Sequence, residues 1–251
     1  MRSASSPTNS PSVDKAEIEK FSALASEWWD PSGKFRPLHL FNPVRLSFIR
    51  ETAVKYFGCD PARLRPFEGK TLLDVGCGGG LLSEPMARQG FKVLGIDASE
   101  KNISIASAHS DGLDLPLSYR AISAETLARE GAIFDLILNM EVVEHVADLP
   151  AFFEGCGSLL APKGIMIVAT LNRTMKSLVL AKIGAEYILR WLPPGTHDWN
   201  RFVRPQELTN YLETAGFYVN HLQGVAFDPM RWGWRLSTDT GVNYMAVAGR
   251  V

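Results

Sequence analysis

The chain has three cysteines in 251 residues, Cys59, Cys77 and Cys156. Their odd number and the lack of any CxxC spacing exclude a disulfide framework and a zinc knuckle, and fit a reducing, cytoplasmic setting. Charge of one sign is missing too: 26 basic residues against 27 acidic ones leave −1. Without a basic field nothing gathers phosphate backbones, so nucleic acid is set aside as a partner. No apolar run approaches the roughly 18 residues that cross a bilayer. An apolar signal core at the N-terminus is also absent, so no secretory leader is expected. There is no internal repeat. What is present is a 46% hydrophobic composition, enough at this length for one substantial α/β core.

The richest stretch runs Leu72-Leu73-Asp74-Val75-Gly76-Cys77-Gly78-Gly79-Gly80. A short apolar run ending in alternating glycines reads as a buried strand turning sharply into a helix. A second apolar run, Phe91 to Ile96, ends at Asp97, about twenty residues beyond the first glycine. An acidic side chain there can accept hydrogen bonds from two ribose hydroxyls. Asp74, Gly76, Gly78 and Asp97 are therefore candidate cofactor-binding residues. Leu81 follows Gly80, so the spacing departs from the G-x-G-x-x-G of dinucleotide enzymes. This disfavours an NAD-dependent dehydrogenase. Asp-x-Gly-x-Gly-x-Gly instead resembles motif I of the S-adenosylmethionine (SAM) dependent methyltransferases. The plainer alternative is a glycine-rich turn with no ligand. Cys77, inside the loop, reads as a small apolar filler.

Residues 1–12 are Ser, Pro, Asn and Thr without periodicity and are expected to be a disordered tail. A single domain is expected from 13 to 251. Val13, Ile18, Phe21, Leu24, Ala25 and Trp28 suit an amphipathic helix over 13–29. Asn42-Pro43 offers a cap and first-turn proline for a second helix carrying Leu46, Ile49 and Val54. From Thr71 strands and helices alternate, with strands expected at 71–75, 92–97, 117–121, 134–140 and 165–170. Such alternation implies a parallel sheet with helices on both faces. The last two runs, 218–227 and 243–248, lack a helix between them and read as an antiparallel pair. Between the fifth and sixth strands lies an insertion of about 172–204. Its run Met175 to Leu192 has a helical pattern that stops at Pro193-Pro194-Gly195. Four basic residues, Arg173, Lys176, Lys182 and Arg190, flank its apolar stripe against one acid, Glu186. Such a helix either lies on a membrane surface, or its apolar face packs on the sheet or roofs the substrate site.

Several segments together are more specific than the glycine loop. Trp28-Trp29-Asp30, Phe35-Arg36-Pro37-Leu38-His39, Asn42-Pro43-Val44-Arg45, Gly184 to Arg190, Gly195-Thr196-His197-Asp198 and Val242-Asn243-Tyr244-Met245 resemble the bacterial ubiquinone biosynthesis O-methyltransferase family. The resemblance implies the class I SAM-methyltransferase fold: a Rossmann-like, seven-stranded, mostly parallel sheet with one antiparallel strand. It adds helices on both faces, N-terminal helices and a helical insertion after the fifth strand. It implies SAM as methyl donor and O-methylation of a 2-polyprenyl-6-hydroxyphenol and of 3-demethylubiquinol. By position, Arg45 and Met140 join Gly76 and Asp97 as cofactor contacts, Arg45 on the methionine carboxylate and Met140 on the adenosine. A polyprenylated phenol or quinol substrate further implies peripheral contact with anionic lipid of the inner membrane and company with other ubiquinone-biosynthesis proteins.

A phenol is a poor nucleophile until its proton leaves, its pKa being about 10 by analogy with tyrosine. Glu141, Glu144 and His145 follow the fourth strand at i, i+3 and i+4, which on a helical turn share a face. His145 and Glu141 are the candidate catalytic residues. The family resemblance places Mg2+ on Glu141, Glu144 and His145; the competing reading is a base, or a cap for the next helix. His197 and Asp198 form a second candidate acid-base pair. His39, His109 and His221 have no evident partner and read as structural or surface residues. The segment Asn139 to Val142 lacks the Pro-Pro-aromatic box of base-flipping adenine methyltransferases. Two alternatives stand beside the leading reading: methylation of another hydrophobic phenol or quinol, or a non-catalytic membrane-associated assembly module.

Overall fold

The computed structural model describes residues 10–179, 198–230 and 233–250. The apolar runs from Thr71 onward form parallel strands β1 (Thr71–Val75), β2 (Lys92–Asp97), β3 (Leu117–Ala121), β4 (Phe134–Met140) and β5 (Leu160–Leu171). After them come β6 (Phe217–Asp228), β7 (Gly233–Ser237) and β8 (Asn243–Arg250). Among the described residues these make one sheet in the order β3-β2-β1-β4-β5-β8-β6-β7. The pairs β1·β2, β1·β4, β2·β3 and β4·β5 are parallel, while β5·β8, β8·β6 and β6·β7 are antiparallel.

Covering helices explain why the central strands read as continuous apolar runs. Leu73, Val75, Ile137 and Val168 face a core shared with α5 (Ala124–Ala128), α6 (Leu149–Leu159) and α8 (Pro205–Thr214). Leu72, Leu136, Leu138 and Ile167 face the other side, against α2 (Arg36–Phe57) and α3 (Ser83–Arg88). The helix α4 (Glu100–Ser110) links β2 to β3, and a single turn, α7 (Met175–Ser177), follows β5. Because β2 lies on one side of β1 and β4 on the other, the carboxyl ends of β1 and β4 bracket a switch point where ligands of open α/β sheets sit.

Five expectations change. The sheet has eight strands instead of seven, because β7 pairs with β6 on the outer edge. Two strands, β7 and β8, run against the rest, since β6 is antiparallel to β8 and therefore aligned with β5. The second helix begins seven residues early: Arg36-Pro37 starts α2 and Pro43 lies inside it. Residues 10–12 are also not free tail. Ser10 Oγ lies 2.6 Å from Ser123 Oγ, and the Ser12 carbonyl accepts from Ala147 N at 2.9 Å. The helix expected over 13–29 divides into α1 (Lys15–Ala23), capped by the Asp14 side chain, and a 3-10 turn, Ala25–Glu27. Residues 1–9 and most of the Met175–Leu192 pattern lie outside the described residues.

Candidate active site

One cavity of about 1080 Å³ takes in the glycine loop, Asp97, Arg45, Met140, Glu141, Glu144 and His145. At its floor, α2 carries Arg45 into the sheet, where the side chain is buried. The guanidinium lies 3.1 Å from Glu141 Oε1 and 4.1 Å from the Phe41 ring centre. Nη1 donates to Asn42 Oδ1 at 3.4 Å, and Asn42 in turn donates to the Leu81 carbonyl at 3.2 Å. Yet Arg45 Nε and Nη2, Glu141 Oε1 and Glu144 Oε1 are buried without an aligned hydrogen-bond partner. Arg45 Nη2 and Glu141 Oε1 thus meet only each other, as an ion pair, while Arg45 Nε and Glu144 Oε1 meet nothing; buried polar atoms are normally satisfied, so this corner marks a place built for a ligand. Burial presses Arg45 below its ordinary value, against the pull of Glu141. Burial, helped by the Glu141 charge, pushes Glu144 well above the carboxylate range; Thr170 Oγ1 donates to its Oε2 at 2.8 Å.

The glycine loop closes the other side. Gly76 and Gly78 have φ of 66° and 53°, a backbone that L side chains rarely adopt. The space a Cβ would need is not open for a ligand at either position. Val142 fills it at Gly76, at 2.6 Å, and the Trp28 ring fills it at Gly78. The glycines thus admit protein as well as cofactor. Asp97 ties the loop to β2: Oδ2 accepts from Gly78 N at 3.1 Å and Oδ1 from Ser99 N at 2.7 Å. A carboxylate has about four acceptor positions, so capacity remains for a ribose. Asp74 is buried behind the loop, where Ser83 Oγ donates to it at 2.5 Å. Burial pushes its carboxyl up to about 7. Met140 ends β4 on the cavity wall.

Trp28 and Trp29 belong to a strap that the sequence reading did not place here. Trp28 Nε1 donates to Asn102 Oδ1 at 3.0 Å and its ring stacks on Phe35 at 3.8 Å. Trp29 Nε1 donates to the Gly79 carbonyl at 2.9 Å, and its ring stacks on His109 at 3.4 Å. His109 and His39, which had no evident partner in the sequence, are both used: His109 Nδ1 meets Glu84 at 2.9 Å and His39 Nε2 meets the Trp28 carbonyl at 2.9 Å. His221 lies beside Gln223, 3.4 Å away, on β6.

His145 is the other surprise. Its Nδ1 lies 2.7 Å from Glu17 Oε2 on α1, and the Phe21 ring meets it edge-on at 5.0 Å. This contact holds the Glu17 carboxyl below its usual range. A signal for it existed: Asp14, Glu17 and Phe21 repeat at helical spacing, and Asp14 likewise reaches across to Arg201 at 2.8 Å.

The expectation that Glu141, Glu144 and His145 share a metal-binding face is not met. Val143–His145 form a 3-10 turn, and Glu141 lies outside it with φ of 58°. Glu141 turns to Arg45, Glu144 to Thr170 and His145 to Glu17. Among the described residues no group of three or more His, Cys, Asp or Glu is placed to hold a metal ion. Of the second candidate pair, His197 lies outside the described residues; Asp198 caps the turn Trp199–Arg201, accepting from Asn200 N at 3.0 Å. Cys77 is buried and its thiol pushed far up, as suits a filler.

Comparison with known proteins places the chain in a family. A family model described as a methyltransferase domain matches residues 49–222. A ubiquinone biosynthesis O-methyltransferase of Caulobacter vibrioides is 57% identical, with 98% of each chain covered. Its counterpart in Sinorhizobium fredii is 55% identical, covering 98% of this chain and 99% of that one. The chain belongs to the ubiquinone biosynthesis O-methyltransferase family. Solved structures agree on the fold alone. The magnesium protoporphyrin IX methyltransferase of Synechocystis, with bound S-adenosylhomocysteine (SAH), has a TM-score of 0.62 at 20% identity, covering 95% of this chain and 100% of that one. The PH0226 protein of Pyrococcus horikoshii reaches 0.63 at 15% identity, covering 92% and 99%. Members of this family that match here span the chain almost end to end, so the N-terminal strap and β7 lie within the shared length.

Proposed function

We propose that this protein transfers a methyl group from SAM to a phenolic oxygen of a polyprenylated catechol and of 3-demethylubiquinol. The observation that carries the reading is the buried Arg45–Glu141 ion pair, with Arg45 Nε and Glu144 Oε1 left without a partner, opening into the same cavity as the glycine loop and Asp97. An anionic and ammonium-bearing head group answers those donors and acceptors; the ubiquinone pathway of the relatives supplies the class of acceptor.

When bound, SAM supplies a methyl group made electrophilic by its sulfonium. The Arg45 fork suits the methionine carboxylate bidentately. Glu141 faces the ammonium, Asp97 the ribose hydroxyls and Met140 the adenosine. Held so, acceptor oxygen and methyl carbon need only be aligned, and such positioning is worth roughly 7–11 kcal/mol in good cases. His145 takes the phenol proton. With Nδ1–H donated to Glu17, the ring presents Nε2 as acceptor, and the Glu17 carboxylate stabilises the imidazolium once the proton arrives. Trp28, Phe35 and Leu38 wall the cavity with apolar surface and keep water from the methyl group. Glu141, Glu144 and His145 do not fit magnesium as they stand, so no step is routed through it.

The acceptor's polyprenyl tail resides in a bilayer, so the protein collects it by reversible contact with an anionic membrane surface. Among the described residues no helix is long and apolar enough to cross a membrane. Met175, Val179 and Met230, which border the undescribed stretches, expose 67%, 50% and 96% of their surface. Sedimentation with anionic vesicles should show binding that weakens with salt; no binding at low ionic strength would contradict it. The reaction is tested with methyl-labelled SAM and short-chain acceptors. Both should be methylated, with one SAH released per methyl. A protein that binds SAH and methylates neither acceptor overturns the reading.

A further inference from the structure

Most unpaired polar atoms in the cavity lie in the charged corner, and the cofactor head group accounts for them. One does not. Trp234 Nε1, on the edge strand β7, is buried, lines the same cavity and has no acceptor. Its ring packs against Phe41 at 4.8 Å and Phe227 at 5.5 Å, and Val225, Ala226 and Pro229 continue the apolar wall. Buried indole N–H groups ordinarily find a partner, and an unpaired one costs free energy. An indole only donates, so the missing partner is an acceptor atom, which rules out a cation or an aliphatic chain.

Phe41 fixes where that acceptor lies. The same ring carries the Arg45 guanidinium at 4.1 Å and Trp234 at 4.8 Å. The indole is thus one aromatic ring removed from the charged corner. An acceptor oxygen undergoing methylation sits near His145, and its catechol neighbour sits beside it on the same edge of the substrate ring. We infer that Trp234 Nε1 donates a hydrogen bond to a ring oxygen remote from the reacting one, and so favours acceptors with oxygens on both edges of the ring. This rests on the proposed function. Demethylubiquinol has such oxygens; a polyprenyl catechol, with two adjacent oxygens, does not.

The test is Trp234→Phe, which keeps the packed ring and removes the N–H. Wild type and variant are assayed with a short-chain demethylubiquinol and a prenylated catechol, and the ratio of kcat/KM values is read. The ratio should shift against demethylubiquinol by roughly five- to tenfold, chiefly through KM. A ratio unchanged within about twofold, with both activities falling together, shows packing alone and overturns the inference. SAH calorimetry on the variant confirms a folded cofactor site. Should the variant bind no SAH, wild type is assayed with quinols lacking one remote oxygen at a time. One omission should then cost roughly five- to tenfold in kcat/KM, and equal values for all would overturn the inference. Wild type that binds SAH yet methylates neither acceptor defeats the functional reading instead.

Discussion

Two regions border the cavity, and they differ in how their polar groups are satisfied. Along the N-terminal strap every named polar group has a protein partner: Trp28 with Asn102, Trp29 with Gly79, His39 with Trp28, Glu17 with His145. In the floor, Arg45 Nη2 and Glu141 Oε1 meet as an ion pair, but Arg45 Nε and Glu144 Oε1 are buried with no partner at all. A paired group is finished by folding. An unpaired buried one is destabilising alone and is finished by a ligand. The strap therefore covers and orients, while the floor binds.

Breaking the floor should have the largest effect. Arg45→Met removes the guanidinium and leaves Glu141 buried without its counter-charge, so SAH affinity read by calorimetry should fall about 100-fold, about 3 kcal/mol. A fall of under about threefold would assign the floor a structural role. Next comes the strap. Trp28→Ala should lower stability by about 3 kcal/mol in denaturant titration, with hydrogen exchange rising across residues 13–38. Unaltered exchange there would show that the strap is held by something other than this ring. Glu17→Gln sharpens the contrast, since it touches the reaction through His145 and not the cofactor. We expect kcat to fall about tenfold with SAH affinity held, and acetate to rescue Glu17→Ala in part. Equal loss of kcat and SAH affinity would contradict the division of labour.

The smallest effect is one of pH. Burial raises Asp74 from its ordinary value to about 7. A carboxyl raised on folding favours the folded state when protonated. That contribution is complete below about pH 4 and disappears as pH climbs toward 7. Asp74→Asn removes the titration, so the Tm of wild type should fall relative to the variant between pH 5 and 7.5. Parallel Tm curves would show that Asp74 keeps its ordinary ionisation.

Much of the glycine-loop side of the cavity was legible because local patterns report it. Alternating glycines after an apolar run, and an acid ending the next strand, fix a strand-turn-helix and its neighbour whatever the rest of the chain does. The positions of the first five strands, and their parallel pairing, follow from the same alternation. The strap was not legible, since Trp28 meets Gly78 across about 50 residues of chain and Glu17 meets His145 across more than 120. Nothing in the periodicity of α1 names its partner. The edge strand β7 was missed for a related reason: Gly233–Ser237 is short and half-buried, and only its pairing with β6 makes it a strand. The metal expectation failed on geometry that spacing does not carry. One left-handed residue, Glu141, takes the first carboxylate off the face the other two were expected to share.

A crystal structure of the protein with SAH bound tests the central claim most directly. The amino-acid head should lie on Arg45 and Glu141, with Arg45 Nε and Nη2 donating to its carboxylate and Asp97 on the ribose, while the contacts of Trp28 and Trp29 stay in place. A head group seated elsewhere, with Arg45 and Glu141 still meeting only each other, would contradict it.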